Sequence, residues 1–465
     1  MKKIIIVLLM IGLIGTQLTI TSCSDDTGSG ASCFDGIKNG DETDVDCGGS
    51  CVACSTCDDG IQNGDETGID CGGSICEPCT GSIEVSGMIT ASATWTNDNI
   101  YNLAGKVVVD DGIILTIEPG TIIKGKEGTG SLASALVVAR GGKLMAVGTA
   151  DKPIIFTTVK DNIEVGQKAG TNLDENDNAL WGGLIILGYA KGSFKGDVSE
   201  VQIEGIPAGD AWGLYGGDDD TDNSGTIKYI SIRFGGAEIG EGNEINGLTL
   251  GAVGNGTVID NVEVVGNLDD GIEFFGGTVN PTNLLVWAQG DDGLDIDQAY
   301  AGTVSNAMVI LGISSDHAME IDGPEGAYKA QFTLENITIK GNADTPGGEY
   351  ADYRSLAMGH TNNIYAYGFK ESSDVELDNN DVSQNFLDGD LTFEAWEIVG
   401  FDNTIFVEKV AKDANGDPTE EKIILDPNFP TRAKAWTSTV DEGSQTVGAD
   451  TSVFDWTYAK MKGAY

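Results

Sequence analysis

The chain has 465 residues, with 26 Lys+Arg against 73 Asp+Glu and a formal net charge of −47. That length exceeds one ordinary core and calls for two or more units or one elongated repeat, and a hydrophobic fraction of 40% excludes wholesale disorder. The charge excludes nucleic acid as a partner and electrostatic docking on anionic lipid, which both need a basic face; 66 Gly with only 10 Pro and no G-X-Y period excludes collagen.

Lys2 and Lys3 precede a mostly apolar run from Ile4 to Ile20, followed by Thr21-Ser22-Cys23. A basic start, a short apolar stretch and small residues make a secretory signal, and the run falls short of the ~20 residues that span a bilayer. Ile20-Thr21-Ser22-Cys23 resembles the bacterial lipobox, which implies a signal peptide over 1–22 and lipidation of Cys23. Ser24-Asp25-Asp26 resembles the surface-export signal of Bacteroidetes lipoproteins and implies a lipid-anchored position on the outer face of the outer membrane. Residues 23–32 read as a Gly/Ser tether.

The other eight cysteines all lie between Cys33 and Cys79, in two copies offset by about 24 residues. One copy holds Cys33, Cys47, Cys51 and Cys54; the other holds Cys57, Cys71, Cys76 and Cys79. Units this small cannot bury a core and rely on covalent staples. In a secreted segment that means disulfides rather than zinc, with three connectivities open in each copy. Asp35, Asn39, Asp41 and Asp46 in the first copy, and Asp59, Asn63, Asp65 and Asp70 in the second, are candidate calcium ligands, since calcium takes hard oxygens from short loops. The same residues also read as solvated acidic loops. The repeat resembles the Cys-rich DGIxNGDETxxDCGG spacers of secreted bacterial proteins.

From residue 81 onward the chain has no cysteine and becomes self-similar. Asn followed by an apolar-rich strand recurs at Asn261, Asn283, Asn306, Asn336 and Asn363, roughly every 22–30 residues. A second unit recurs as Asn246-Gly-Leu-Thr-Leu, Asp270-Gly-Ile-Glu-Phe, Asp292-Gly-Leu-Asp-Ile and His317-Ala-Met-Glu-Ile, with Arg354-Ser-Leu-Ala-Met as a looser copy. Short alternating runs with no helical pattern between them predict the stacked coils of an all-β, right-handed parallel β-helix over 81–395. Asn at one repeated turn position predicts a side-chain amide ladder that holds the register. A sandwich or a propeller explains no such ladder.

Gly112 to Gly125, Trp181 to Gly188 and Asp269 to Gly277 resemble segments of the right-handed β-helix lipoproteins of Bacteroidetes, a resemblance that implies fold and location but no chemistry. Residues 396–465 depart from the repeat and read as a β-hairpin insertion around Ala414-Asn-Gly-Asp-Pro, then a cap in which Phe454, Trp456 and Tyr458 close the open end.

Alternation in the second unit places Ile272, Leu294 and Met319 inward, and Thr249, Glu273, Asp295 and Glu320 in one outward column, with Asp269, Asp270, Asp291, Asp292 and Asp316 in the preceding turns. Two charges ~5 Å apart repel by roughly 3 kcal/mol at an effective dielectric of 20, so calcium is expected at Asp269, Asp291, Asp295 and Glu320. The leading functional reading is a non-enzymatic surface lipoprotein, a structural, adhesive or glycan-binding module whose partners are surface glycans or other outer-membrane proteins. The alternative is an inverting hydrolase of surface polysaccharide. Asp270, Asp291, Asp292, His317 and Arg354 follow the order of polygalacturonase motifs, although His317 lacks that family's flanking glycines and Arg354 lacks its following lysine. Trp287 and Tyr300 are the candidate sugar-stacking aromatics.

Overall fold

The computed structural model describes residues 81–465 apart from 208, 240–243, 345–347, 403–404 and 410–428, and, before them, 33, 36–43, 45–47, 49–51, 57 and 76. Two compact units divide the chain, Met1–Pro78 and Cys79–Tyr465. Cys23, Asp35, Cys54, Asp59, Asn63, Asp65, Asp70, Cys71 and Cys79 lie outside the described residues. No helix among the described residues is long and apolar enough to cross a membrane.

In the first unit Cys33 bonds to Cys51 and Cys57 to Cys76, so both copies join their first cysteine to their third. Cys47 is also disulfide-bonded. The acidic side chains between them brace the loop: Asp46 accepts the Gly36 N–H (2.9 Å), Glu42 accepts the Asn39 N–H (2.9 Å) and Asp41 accepts the Ser50 hydroxyl (2.9 Å).

The second unit is the expected parallel β-helix. Among the described residues, 24 of its strands form one hydrogen-bonded sheet and two more form a separate pair. Two series of strands stack coil on coil. The short series runs Leu184–Leu187, Leu248–Gly251, Ile272–Phe275, Leu294–Asp297, Met319–Ile321, Ala351–Tyr353, Val375–Leu377 and Phe406–Glu408, all in parallel register. Along it Leu248, Ile272, Leu294, Met319, Ala351 and Val375 stack in the core with no exposed surface. The period of two makes this unavoidable: once these residues face in, the residue after each must face out.

The long series runs Gly225–Arg233, Val258–Val265, Thr282–Trp287, Thr303–Ile310, Phe332–Lys340, Gly359–Tyr367 and Leu391–Val399. Most of these strands bend at the repeated Asn. Asn261, Asn283, Asn306, Asn336 and Asn363 have φ of 57–59°, and Tyr229 and Ala395 occupy the same bend at the two ends of the series. Asn tolerates the left-handed region better than other side chains with a Cβ. Its amide also forms the ladder: Asn306 Nδ2 donates to Asn283 Oδ1 (2.7 Å) and Asn363 Nδ2 to Asn336 Oδ1 (3.0 Å). Asn306→Ala removes its bonds to Asn283 and Asp450 and leaves at φ 59° a side chain that cannot hydrogen-bond. It is expected to destabilise by ~2–3 kcal/mol, and Asn306→Gly by about half of that, read from urea midpoints.

Glycine before the short strand has a separate cause. A Cβ on Gly271 would lie 2.3 Å from Val286 Cγ1 and 2.7 Å from the Gly293 carbonyl, and one on Gly293 would lie 2.4 Å from Val309 Cγ1. The Asp-Gly pair therefore recurs because neighbouring coils pass too close for a side chain.

The coils continue beyond 395. Phe406–Glu408 and Thr437–Val440 both stack in parallel on earlier coils, so the described strand of the expected hairpin belongs to the solenoid; its other arm lies in 410–428, outside the described residues. Phe386, Phe393, Phe406, Phe429 and Trp436 fill the last turns. Phe454, Trp456 and Tyr458 do not close that end. The C-terminal segment runs back along the flank, with Ala449 N–H on Thr338 (2.9 Å), Asp450 N–H on Asn306 (2.6 Å) and Tyr458 N–H on Glu263 (3.0 Å). There Phe454 and Tyr458 cover Val265, Leu285, Trp287, Met308 and Ile310, while Trp456 meets Tyr229 edge-on. The reason is burial: the outward positions of these long strands are apolar and require a cover.

A second cover lies over the short series. Phe194, Ile203, Ile206 and Tyr215 pack on Ile185, Leu187 and Phe275, held by an antiparallel pair of Val201–Gln202 with Leu214–Tyr215. The Tyr215 hydroxyl donates to Gln298 (2.8 Å).

Candidate functional site

The outward face of the short series carries three polar columns. In mid-strand, Thr249, Glu273, Asp295, Glu320, Asp352 and Glu376 are register neighbours. In the preceding turn stand Asn246, Asp270, Asp292, His317 and Glu349, with an isolated bridge pairing the last two. At the strand end, Asp297, Asp322 and Arg354 follow one another. The mid-strand column faces away from the core as expected, yet it is not solvated: Glu273, Asp295, Glu320, Asp352 and Glu376 are all at most 9% exposed.

Asp352 and Glu376 extend the column beyond the four expected positions. They were legible only as apolar–acid–apolar triplets, Ala351-Asp-Tyr and Val375-Glu-Leu, without the Asp-Gly signature. Arg354-Ser-Leu-Ala-Met is not a strand copy; it is a turn, with Ser355 and Leu356 at positive φ, and the strand of that coil is Ala351–Tyr353.

Burial and like-charged neighbours raise the carboxyl pKa values. Asp270, Glu273 and Asp295 are pushed well above the carboxylate range, by burial first and then by the acids around them. The same causes bring Asp269 and Asp297 to about 7 and Asp291 to about 6. Farther along, burial raises Asp352 to about 7 and Glu320 to about 9, against the pull of His317 and Arg354. His317 goes to about 10: burial works to lower it, but its bond to Asp292 and the surrounding acids outweigh that.

The chain's own cations are unevenly placed. His317 Nδ1 lies 2.8 Å from Asp292 and 3.7 Å from Glu320. Arg354 pairs with Glu320 and, at 2.8 Å, with Asp322. Lys409 pairs with Glu376 and reaches Asp374 (3.3 Å) and Glu349 (3.8 Å). All three serve the later coils. Toward Asp270, Glu273 and Asp295, the charges acting on each carboxyl are all negative.

The expected calcium quartet of Asp269, Asp291, Asp295 and Glu320 does not gather in one place. Asp269 and Asp291 cluster with Asp270, Asp295 with Asp270 and Glu273, and Glu320 with Asp292 and His317, each group offering ligand atoms within 4.8 Å of one another. The four are shared among three groups, each combining residues of neighbouring coils with different partners. In the first unit, Asp41 and Asp46 belong to no such group of His, Cys, Asp and Glu among the described residues. In the loop at Asp218–Gly225, Asp220 pairs with Lys191 (2.8 Å) and Asp222 accepts the Tyr189 N–H.

The hydrolytic alternative meets three obstacles. Asp270 Oδ1 accepts the Asp292 N–H (2.9 Å), and Asp292 Oδ1 accepts both the His317 N–H and its ring nitrogen (2.8 Å each), so these side chains peg one coil to the next. One oxygen each of Asp269, Asp270 and Asp291 comes within 4.8 Å of the others, so these acids crowd together where an inverting pair stands apart to admit a water. The adjoining concavity, about 510 Å³ and lined by Asp297, Asp322, Glu325, Arg354, Asn379 and Asp381 among others, has no aromatic wall. The expected stacking aromatics are elsewhere: Trp287 lies under the C-terminal segment, and Tyr300 is in the core, tilted against Phe274 with its hydroxyl on the Val279 carbonyl (2.6 Å). His360 is exposed and bonded to Thr392 (2.6 Å).

No curated protein matches the chain. Among solved structures, the pectin methylesterase from Aspergillus niger aligns with 11% identity over 76% of this chain and 90% of its own, at a TM-score of 0.29. A family model described as a pectate-lyase-like β-helix domain matches residues 87–459. With four-fifths of its length inside that match and the coils stacked as described, the chain belongs to the pectate-lyase-like β-helix family.

Proposed function

We propose that this protein is a non-enzymatic surface lipoprotein, anchored through Cys23 to the outer face of the outer membrane. Its β-helix acts as a structural, adhesive or glycan-binding module toward surface glycans or other outer-membrane proteins, with calcium at its acidic turns. The observation that carries this reading is that Asp270 and Asp292, the acids the hydrolytic alternative needs, already accept backbone N–H groups of the next coil. Those bonds occupy one oxygen of each, and burial of both side chains keeps the other from a substrate proton. The oxygen-only character of the clusters around Asp270 supports calcium, a hard cation.

Purified chain is expected to release no reducing ends from a panel of neutral and acidic polysaccharides, with Asp291→Asn as the comparison. In cells, Cys23→Ala is expected to move the protein from the membrane to the soluble fraction. Turnover abolished by Asp291→Asn, or an uncleaved Cys23→Ala protein still in the membrane, would overturn the respective half of the reading.

A further inference from the structure

We propose that Asp270, Glu273 and Asp295 hold a buried divalent cation of the calcium class, in the stretch of the acidic columns that the chain's own cations do not reach. This rests on the reading of those columns as structural rather than catalytic.

The charge pattern is the first ground. Four groups of acidic side chains lie along the β-helix with ligand atoms within 4.8 Å. The group at Asp292 and Glu320 contains His317 and touches Arg354, and the group at Glu349, Asp374 and Glu376 closes on Lys409. The group at Asp269, Asp270 and Asp291 lies on the rim, with Asp291 exposed. Asp270, Glu273 and Asp295 are all buried, and the charged groups acting on them are acids. Burying like charges without a counter-ion is strongly unfavourable, and two of the other three groups have a cation of the chain's own.

The second ground is independent of charge. Asp295 is 9% exposed, and its Oδ1 has no hydrogen-bond partner. A buried polar atom of this kind calls for a partner, a cation or a water, and of the unpartnered carboxyl oxygens in this column, Asp295 Oδ1 and Asp352 Oδ1, that of Asp295 is the one away from His317 and Arg354. Its neighbours Asp270 and Glu273 present carboxyl oxygens, which a cation would bind in place of protons. Above them Asn246, fully buried, turns its amide nitrogen to Glu273 and carries a carbonyl oxygen that is also without a partner.

The third ground is donor chemistry. The group contains carboxylate oxygens and neither imidazole nor thiolate, which favours calcium or magnesium over zinc or copper. The charge of the ion would take the part that Arg354 and Lys409 take in later coils.

The test uses the full chain, dialysed at pH 7.5 against chelator and then against calcium or magnesium, with bound metal read by atomic emission and melting followed in parallel. Wild type is expected to melt higher with calcium than with chelator. Glu273→Gln/Asp295→Asn should bind one calcium equivalent fewer than wild type, lose most of that rise, and melt above wild type in chelator. Asp316→Asn, outside the group, should keep the full equivalents. If the double variant does not fold, Asp295→Asn alone is measured the same way, and the wild-type rise stands as the second readout. Equal calcium equivalents in wild type and variant, or a wild-type melting temperature indifferent to calcium, would overturn the site. Polysaccharide cleavage with the equivalents intact would instead sink the non-enzymatic reading and leave the site standing.

Discussion

Glu263→Ala is expected to destabilise the β-helix by about 3 kcal/mol and to free the C-terminal segment. Glu263 has no exposed surface. It accepts the Ser231 hydroxyl (2.6 Å) and the backbone N–H groups of Tyr458 (3.0 Å) and Ala459 (2.7 Å), the first residues of the short helix Tyr458–Lys462. Ser231 in turn accepts Arg233 Nε (2.7 Å), and the buried Arg233 guanidinium lies 4.4 Å from the centre of the Tyr458 ring. Burial holds the Arg233 pKa down, while Glu263 and Asp161 support its charge. Removing Glu263 leaves Asp161 as the remaining support and strands two helix-end N–H groups. Limited proteolysis should then cut after residue 440 much faster than in wild type, and the urea midpoint should fall. Glu263→Gln, which keeps an acceptor, should lie between the two. An unchanged midpoint and cleavage rate for Glu263→Ala would show that the segment is held by its apolar contacts alone.

Without divalent metal, the protein should be more stable at pH 5 than at pH 8.5, the reverse of ordinary acid denaturation. Asp269, Asp297 and Asp352 go from 3.8 in the unfolded chain to about 7 when folded, and Glu320 from 4.5 to about 9. The folded state therefore binds more protons between those values, so stability falls as pH rises through them. His317 has the same sign: raised from 6.5 to about 10, it stabilises fully below 6.5 and loses that contribution as pH passes its folded value. One pKa unit on one group corresponds to ~1.4 kcal/mol, so the loss from pH 5 to 8.5 should reach several kcal/mol. Calcium displaces protons from its ligands and should flatten the profile above pH 6. Urea midpoints in chelator at the two pH values decide it; a higher midpoint at pH 8.5 would show that the columns are ionised and internally balanced.

Much of this architecture was written locally. Leu294 and Met319 face in, and Asp295 and Glu320 face away, because strand alternation has a period of two whatever the surroundings. The Asn bends and the Asp-Gly turns were equally legible, because each coil meets only its neighbours and the same steric demand recurs at the same place. What lay beyond the coil did not follow from the repeat. Facing away from the core does not settle exposure: Asp295 is 9% exposed, and the segment around Tyr215 packs on Phe275 and bonds Gln298 of the same series, contacts that join residues far apart in the chain. Trp287 is covered by a segment more than 150 residues later, so its character as a packing residue rather than a sugar platform is decided by where Phe454 and Tyr458 come to rest. The sequence determined the repeating unit, because its causes are steric and local. Tertiary structure decided which outward faces meet water, because that depends on where the long segments between and after the coils find apolar surface to bury.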